Sequence, residues 1–540
     1  MSSKNFAFSC GCSFPVIDEA SQKITFNPDI NHINLNCKKT WDLISDGNTK
    51  GCFQLESRLG RSYAKKLKPE NIEQLSALIA IIRPGCLESF KDGKNITQHY
   101  IDIKNGKESI DYLHPSLEPI LKTTYSQMIY QEQAMQIAKD IAGFSLQDAD
   151  SLRKAIGKKL PEQMAKIKLR FIDGCKQTNI VDNDTAEQIF GWIEKSQRYS
   201  FNKSHSVSYA MNAFLSAFTK AHFPQIFFAS YLKFAKDKID PQAEIKELIQ
   251  NANEMDIEVK LPDIRNLNKF FILKENRIYF GLTDIKGVGE SVFEKMINTI
   301  SDKNLDLNET YWLEILFKLL INTNSIAAKA LIQSGALDYL CKTRQNMLFE
   351  YNAASNLTQK ECDKCLELID TKTSLSSILT IISNKTKLTK NRKTILDNTI
   401  YSLDNPPYSL SDQPEWISDC EYSLLGYSLS CTKVDLYDIS MTNVTCKEFK
   451  NGYNSQKLLL GGEITNLNIT KTKTGKTKGS DMAFVTLQDN TGSIDSVIFF
   501  PETYKKYRNI LFPGHVIIVQ GSRSRNGDSF VVEKAYVAKS

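Results

Sequence analysis

Four cations fall within the seven residues Arg153-Lys154-Ala155-Ile156-Gly157-Lys158-Lys159. The run before them is helical in pattern and Gly157 is a natural helix stop, so the cluster sits around a helix end. Guanidinium and ammonium groups gathered there suit a triphosphate, whose oxygens take charge-assisted hydrogen bonds. Taken alone, the same string also reads as a solvated basic face. A second constellation, Phe201-Asn202-Lys203-Ser204-His205-Ser206, joins two helical segments. Ser204 or Ser206 can cap the second helix and leave Lys203 and His205 at its positive end, which favours a phosphate or nucleotide. The alternative is a capped helix start that carries a histidine with no ligand. A third, Lys286-Gly287-Val288-Gly289-Glu290, places two glycines one residue apart ahead of a helix. Such a turn points backbone N–H groups outward and suits a DNA phosphate contacted without base reading. Lys471, Lys473, Lys476 and Lys478 surround Gly475 between two strand-like runs and suit single-stranded DNA.

Carboxylates are arranged less favourably. Nucleotidyl transfer needs two or three of them converging on a pair of Mg²⁺ ions, and no Asp-x-Asp lies on an apolar strand here. Asp148-Ala149-Asp150 is the nearest case, and it reads as a helix-surface pair beside Arg153.

The elements that must position these residues are mainly helical, followed by a C-terminal β-barrel. Residues 1–40 read as an irregular segment. Residues 41–255 form a helical domain with helices predicted over 70–82, 126–142, 147–157, 161–177, 185–196 and 206–222, punctuated by Arg83-Pro84-Gly85 and Pro115. Residues 256–355 hold short strands between 257 and 282, then helices from 289 onward. Apolar flanks at Leu282, Ile285, Val292 and Met296 make the glycine turn a helix-hairpin-helix unit, and a second unit ends at Leu331–Asp338. Residues 356–415 are polar, without a clear period, and contain Asn405-Pro406-Pro407, which predicts a poorly packed connector. Residues 416–455 are a linker. Residues 456–540 give five strands with a helix between the third and fourth, the order of an OB fold. Alternation places Phe484 and Phe499 among its core residues.

At 540 residues the chain exceeds one hydrophobic core, so several domains are expected. Net charge is only +6, from 68 basic and 62 acidic side chains, and therefore neither suggests nor excludes a nucleic-acid partner. The most apolar stretch, Ala210 to Phe234, is broken by Lys220, His222, Pro224 and Lys233, so no membrane span is predicted. Twelve cysteines without repeated spacing read as reduced thiols in a cytoplasmic setting. Cys10-Gly11-Cys12 with His32 and Cys37, and Cys362 with Cys365, are weak zinc candidates that lack the spacing of a structural site. Gln345-Asn-Met-Leu348-Phe349 resembles a short sliding-clamp-binding motif, and Leu348 and Phe349 are equally ordinary core residues of a helix.

Six strings occur in an order that resembles one family: Phe53-Gln-Leu-Glu-Ser57, Arg83-Pro-Gly85, His114-Pro-Ser-Leu-Glu118, Tyr130-Gln-Glu-Gln133, Arg153 to Lys159, and Phe201 to Ser206. Together they look like the fingers region of the bacterial DNA polymerase III alpha subunit, the replicative family C polymerase. The glycine hairpins, the segment Glu421-Tyr-Ser-Leu-Leu-Gly426 and the barrel extend the resemblance over residues 35–540. It implies that Arg153, Lys154, Lys158 and Lys159 face the triphosphate of an incoming dNTP, with Lys203 and His205 near that pocket or the template. It also implies that Lys286, Gly287, Gly289 and the loop lysines hold primer-template and single-stranded DNA. Lys154 stands where the family usually has arginine, and Cys431-Thr432-Lys433 replaces its usual Gly-His-Pro. The family's palm, with its catalytic aspartates, precedes the matching region. The resemblance thus implies a component of a DNA-directed DNA polymerase, a nucleotidyltransferase of DNA replication. The palm and most of the Mg²⁺ ligands would come from another polypeptide, leaving this chain inactive alone. A non-catalytic DNA-binding accessory protein derived from a polymerase is the other reading.

Overall fold

A computed structural model describes residues 33–540 except 92, 159–160, 197–198, 371–372, 387, 454, 456, 473–476, 525–528 and 540; before residue 33 it describes only four two-residue strands. Two compact units divide at Phe223/Pro224.

In the first unit, α1 (Ile72–Ile81) is capped by Asn71, whose side chain accepts from the Gln74 amide. Every residue from Leu75 to Ile81 is buried, so this helix is apolar on all sides and lies inside the unit. Helices α2 (Gln131–Ala142), α3 (Leu146–Lys158), α4 (Pro161–Thr178) and α5 (Asn183–Ser196) enclose a core that includes Ile137, Ile141, Leu152, Phe171, Phe190 and Ile193. Helix α6 (Lys203–His222) buries Ala210, Ala213, Phe214, Ala217, Phe218 and Ala221, a 3-then-1 spacing that keeps one stripe inward. The alanines let α1 approach that stripe closely. Lys220 is fully buried, and its Nζ donates to the Lys50 carbonyl at 2.9 Å and to Asn48 Oδ1 at 3.3 Å.

Three local differences from expectation have simple causes. The helix expected from 126 starts at Gln131, because Tyr125 and Ser126 adopt left-handed φ of 51° and 64°. Gly157 does not stop α3, which runs through it to Lys158. Helix α6 starts three residues earlier than expected because Asn202 is its cap, accepting from the His205 amide at 2.9 Å; Ser204 and Ser206 lie inside the helix.

The second unit contains a small sheet in which Arg277–Tyr279 pairs with both Val259–Lys260 and Ile272–Lys274. The hairpin helices Glu290–Asp302, Ser325–Gln333 and Arg344–Ala354 follow. The expected loose connector is instead three packed helices, Gln359–Leu368, Leu375–Lys385 and Lys390–Asp404. Each has a hydroxyl N-cap (Thr358, Ser374, Thr389), and Leu375, Ile378, Leu379, Ile382 and Leu396 are buried between them.

Five strands close a barrel: β1 (Leu458–Lys471), β2 (Asp481–Asp489), β3 (Gly492–Phe499), β4 (Val516–Arg523) and β5 (Phe530–Val537). Their order is β1-β2-β3-β5-β4, with β3 and β5 parallel and the other pairs antiparallel. The short helix Pro501–Tyr507 lies between β3 and β4, and the topology is that of an OB fold. Alternating residues such as Leu458, Leu460, Ala483, Val485, Leu487, Val497 and Phe499 fill the interior. Phe484, one position out of phase, is only partly buried on the outer side and does not join that core.

Candidate nucleotide and nucleic-acid interface

Helix α3 begins with a reciprocal cap. The Asp148 amide donates to Ser145 Oγ and the Ser145 amide to Asp148 Oδ2, both at 3.2 Å, and Arg170 Nη2 adds a bond to the same carboxylate at 2.5 Å. Asp148 is therefore a capping residue. Two residues on, Asp150 gathers the cations: Lys154 Nζ lies 2.8 Å from its Oδ2, while Arg153 Nε and Nη2 donate to Oδ1 at 3.0 and 2.8 Å. Hydrogen bonds from Lys154 and then Arg153 hold the Asp150 carboxyl below the usual carboxylate range. Side-chain exposure is 37% for Arg153 and 61% for Lys154, so the clasp is solvent-screened and open to exchange for other anions. Only the backbone of Lys158 is described, and Lys159 lies outside the described residues.

The Phe201–Ser206 loop is tied to distant segments. The Phe201 amide donates to the Ile129 carbonyl at 2.8 Å and the Gln131 amide to the Phe201 carbonyl at 2.9 Å, a one-residue parallel bridge with Tyr130. Gln133 Oε1 accepts from the Ile129 and Tyr130 amides, both at 3.0 Å, which fixes the entry of α2. The Lys203 amide donates to Glu132 Oε2 at 2.9 Å, while its Nζ lies 3.4 Å from Glu73 and 5.7 Å from the Tyr130 ring centroid. Ser206 Oγ donates to the Ser76 carbonyl at 2.7 Å, and Ser76 Oγ pairs with the Tyr130 hydroxyl at 2.9 Å. Burial pushes the Tyr130 phenol upward, so it stays neutral.

His205 is exposed and belongs to a ladder of rings. Its centroid lies 5.5 Å from Phe201 and 4.1 Å from Tyr209; Phe53 stands 5.1 Å from Tyr209, and the Arg83 guanidinium sits 3.8 Å over Phe201. Strings far apart in sequence thus converge at the start of α6. Arg83, Phe53 and Tyr209 were not singled out as site residues by the sequence reading. The i, i+4, i+8 recurrence of Phe201, His205 and Tyr209 was the available signal. Among the described contacts, Arg153 and Lys154 meet on Asp150, Lys203 and His205 meet around Phe201 and Tyr130, and none joins the two pairs.

In the second unit, Gly287 has φ of 97°, and a Cβ there would meet Ile326 Cγ2 at 3.1 Å, so glycine is required. Gly289 caps the helix Glu290–Asp302 with ordinary φ and open space where a Cβ would be. Its role is thus approachability rather than conformation. Among the described residues, the amides of Gly287 and Gly289 have no protein acceptor. Lys286 is exposed, and its amide donates to the Leu424 carbonyl at 2.9 Å. The second hairpin differs. Gly335, at φ of 83°, is closed over by Arg344, which is 2% exposed and bonds Asp338 through Nε (2.9 Å) and Nη2 (2.7 Å), and Glu421 through Nη1 (2.9 Å).

In the barrel, Lys471 at the end of β1 and Lys478 ahead of β2 are exposed, and the Gly479 amide donates to the Thr472 carbonyl at 2.9 Å. Lys473 and Lys476 lie outside the described residues, as do Cys10, Cys12 and His32. Cys37 is buried as a helix cap, with Sγ 3.2 Å from His222 Nε2. Cys362 and Cys365 are buried in their helix, and burial pushes the Cys365 thiol up to about 12. Among the described residues, no group of three or more His, Cys, Asp or Glu side chains could hold a metal ion, which removes the Cys362–Cys365 zinc reading there. Gln345, Leu348 and Phe349 lie in the helix Arg344–Ala354, where Phe349 packs 6.0 Å from Tyr408. Among the described residues, no helix is long and apolar enough to cross a membrane.

Residues 15–179 match the family model of the bacterial DNA polymerase III alpha subunit finger domain, residues 256–347 a helix-hairpin-helix motif, and residues 459–537 an OB-fold nucleic acid binding domain. The chain is 32% identical over 532 residues to DNA polymerase III subunit alpha of Pseudomonas aeruginosa, covering 95% of this chain and 43% of that protein. It is 32% identical to the same subunit of Aquifex aeolicus (91% and 38% covered) and of Staphylococcus aureus (94% and 43%). The chain therefore spans less than half the length of the curated relatives it matches.

Proposed function

Because this chain is a relative of the bacterial DNA polymerase III alpha subunit, with finger, helix-hairpin-helix and OB-fold modules in that order, we propose that it serves DNA replication as a component of a DNA-directed DNA polymerase. In this reading Arg153 and Lys154, with Lys158 and Lys159, take the triphosphate of an incoming dNTP from the Asp150 clasp. Lys203 and His205 lie along the same substrate path. The hairpin of Lys286, Gly287 and Gly289 takes a phosphate of the primer-template duplex, and Lys471, Lys473, Lys476 and Lys478 take single-stranded DNA.

The observation that carries the reading is the convergence at the start of α6. Phe53, Phe201, His205 and Tyr209 form a run of edge-on and tilted rings, with the Arg83 guanidinium over Phe201 and Lys203 beside the buried Tyr130. Rings supply faces for bases, and the guanidinium and ammonium groups supply partners for phosphates. Among the described residues, no group of three or more His, Cys, Asp or Glu side chains fits a two-metal site. The catalytic aspartates and the metal are assigned to a palm on a separate polypeptide, and a sliding clamp is a further candidate partner.

A second reading, a non-catalytic DNA-binding accessory protein, draws on the Asp150 clasp, which satisfies both cations without any ligand. Nucleotide and DNA binding separate the two. Arg153→Ala should lower dNTP affinity about tenfold or more, the range of a lost charge-assisted pair, and leave duplex binding unchanged. Equal losses of both, or no dNTP binding by the unaltered chain, would support the accessory reading.

A further inference from the structure

Helix Pro224–Lys233 buries Phe227, Phe228, Ala229 and Leu232, so the chain that leaves it carries its polar side outward. That chain is Lys233-Phe234-Ala235-Lys236-Asp237-Lys238-Ile239, with three lysines in six residues. It folds against Phe270, which the small sheet presents just before Ile272–Lys274. Three ammonium groups surround the Phe270 ring, Lys236 at 3.9 Å, Lys269 at 5.6 Å and Lys233 at 5.7 Å from its centroid. Lys238 lies 5.4 Å over Tyr231, and Lys233 also reaches Phe234 at 5.9 Å. Phe234 is 59% exposed and Ile239 is fully exposed.

Cation–π contacts fix where these ammonium groups stand without neutralising them. The nearby acidic groups are Asp237 within the segment, Asp284, on whose carboxyl Lys236 acts, and two glutamates. Glu290 pairs with Lys269 at 2.8 Å and Lys236 at 3.5 Å, and Glu294 lies 3.9 Å from Lys269. Lys233 meets rings and no carboxylate among the described residues. Glu290 is also the first residue of the helix whose cap is Gly289, so this surface adjoins the open hairpin amides directly.

We propose that the Lys233–Ile239 segment and Phe270 form a platform for single-stranded DNA beside the hairpin, with Phe234 as the stacking ring. The lysines suit phosphates spaced along a strand. An exposed phenyl ring offers its face to an unpaired base, whereas the bases of a duplex present only their edges. A strand whose phosphate sits at Gly287 and Gly289 passes onto this platform next. The inference rests on the reading of the hairpin as a DNA contact and adds a partner surface separate from the barrel loop.

The test uses the full chain with a fluorescent oligothymidine and a blunt duplex, titrated over a range of salt. The expected result for Phe234→Ala is about a tenfold loss in single-strand affinity with duplex affinity unchanged. The triple variant Lys233→Gln, Lys236→Gln, Lys238→Gln should flatten the single-strand salt slope by about 2, at roughly 0.7 per phosphate contact. Unchanged single-strand binding in both variants would overturn the platform, as would equal losses on duplex and single strand with Phe234→Ala. Retained affinity with capture of an acidic protein partner instead would also overturn it. Failure of the unaltered chain to bind either DNA would instead bring down the underlying hairpin reading.

Discussion

Asp284 closes the turn that leads into the open hairpin, and its carboxyl is raised from 3.8 to about 7. Burial is the largest cause; Lys236 and a hydrogen bond from the Phe271 backbone oppose it without prevailing. Its Oδ2 is buried without a hydrogen-bond partner among the described residues. The folded state therefore keeps this proton up to about pH 7, while the unfolded chain releases it near 3.8. Between those values the unfolded state binds fewer protons, so the contribution of Asp284 to stability is full below about 3.8 and is lost as pH rises through 7. At 1.36 kcal/mol per pH unit the full interval corresponds to about 4 kcal/mol, an upper bound because water reaches part of the group. Asp284→Asn removes the titration and retains the shape. The variant should match the parent at pH 4 and exceed it by about 1–4 kcal/mol at pH 8. Denaturant unfolding followed by circular dichroism, at half-unit steps from pH 4 to 8.5, gives the difference curve directly. Depressed carboxylates elsewhere, such as Asp102 and Asp150, act in both proteins and cancel. A stability difference independent of pH would refute the reasoning.

Arg344→Ala should destabilise the chain by about 3–5 kcal/mol, since it leaves the fully buried Glu421 without its countercharge, though still bonded by the Leu429 and Ser430 amides, and removes the bidentate partner of Asp338. An unfolding free energy within about 1 kcal/mol of the parent would show that these carboxylates find other partners. Gly287→Ala should cost about 1–3 kcal/mol from the left-handed φ and weaken duplex binding, whereas Gly289→Ala should fold normally and lose only duplex affinity; calorimetry with duplex titration distinguishes them. Asp150→Asn frees Arg153 and Lys154 and should tighten dNTP binding roughly two- to fivefold, the worth of an exposed ion pair. Weakened binding would mean that Asp150 orients those cations for the nucleotide.

The barrel and the long helices were legible because their burial patterns are periodic. Leu458 to Phe499 alternates, and Ala210 to Ala221 keeps the helical spacing. Phase within the barrel was harder: Phe484 is apolar but faces outward, since Ala483 and Val485 hold the inward positions. The stretch 356–415 looked irregular because polar residues outnumber apolar ones, yet Leu375, Ile378, Leu379 and Ile382 form an i, i+3, i+4, i+7 stripe behind the Ser374 cap. The charged constellations were visible as strings, and their partners were not. Nothing local says that Lys203 turns to Glu73, or that Arg83 lies on Phe201, because these contacts join segments over a hundred residues apart. The assignment of Ser204 or Ser206 as a cap failed for a chemical reason, Asn202 being at least as good a cap and nearer the turn.

The central proposal is that this chain lends nucleotide and DNA contacts to a polymerase whose palm is supplied by another polypeptide. Primer extension with the purified chain, alone and after pull-down from its native cell extract, tests it most directly. The account predicts extension only in the pull-down, lost with Arg153→Ala, and a co-purifying protein that carries the catalytic aspartates. No extension in either sample, alongside tight primer-template binding, would contradict it and leave a non-catalytic DNA-binding protein.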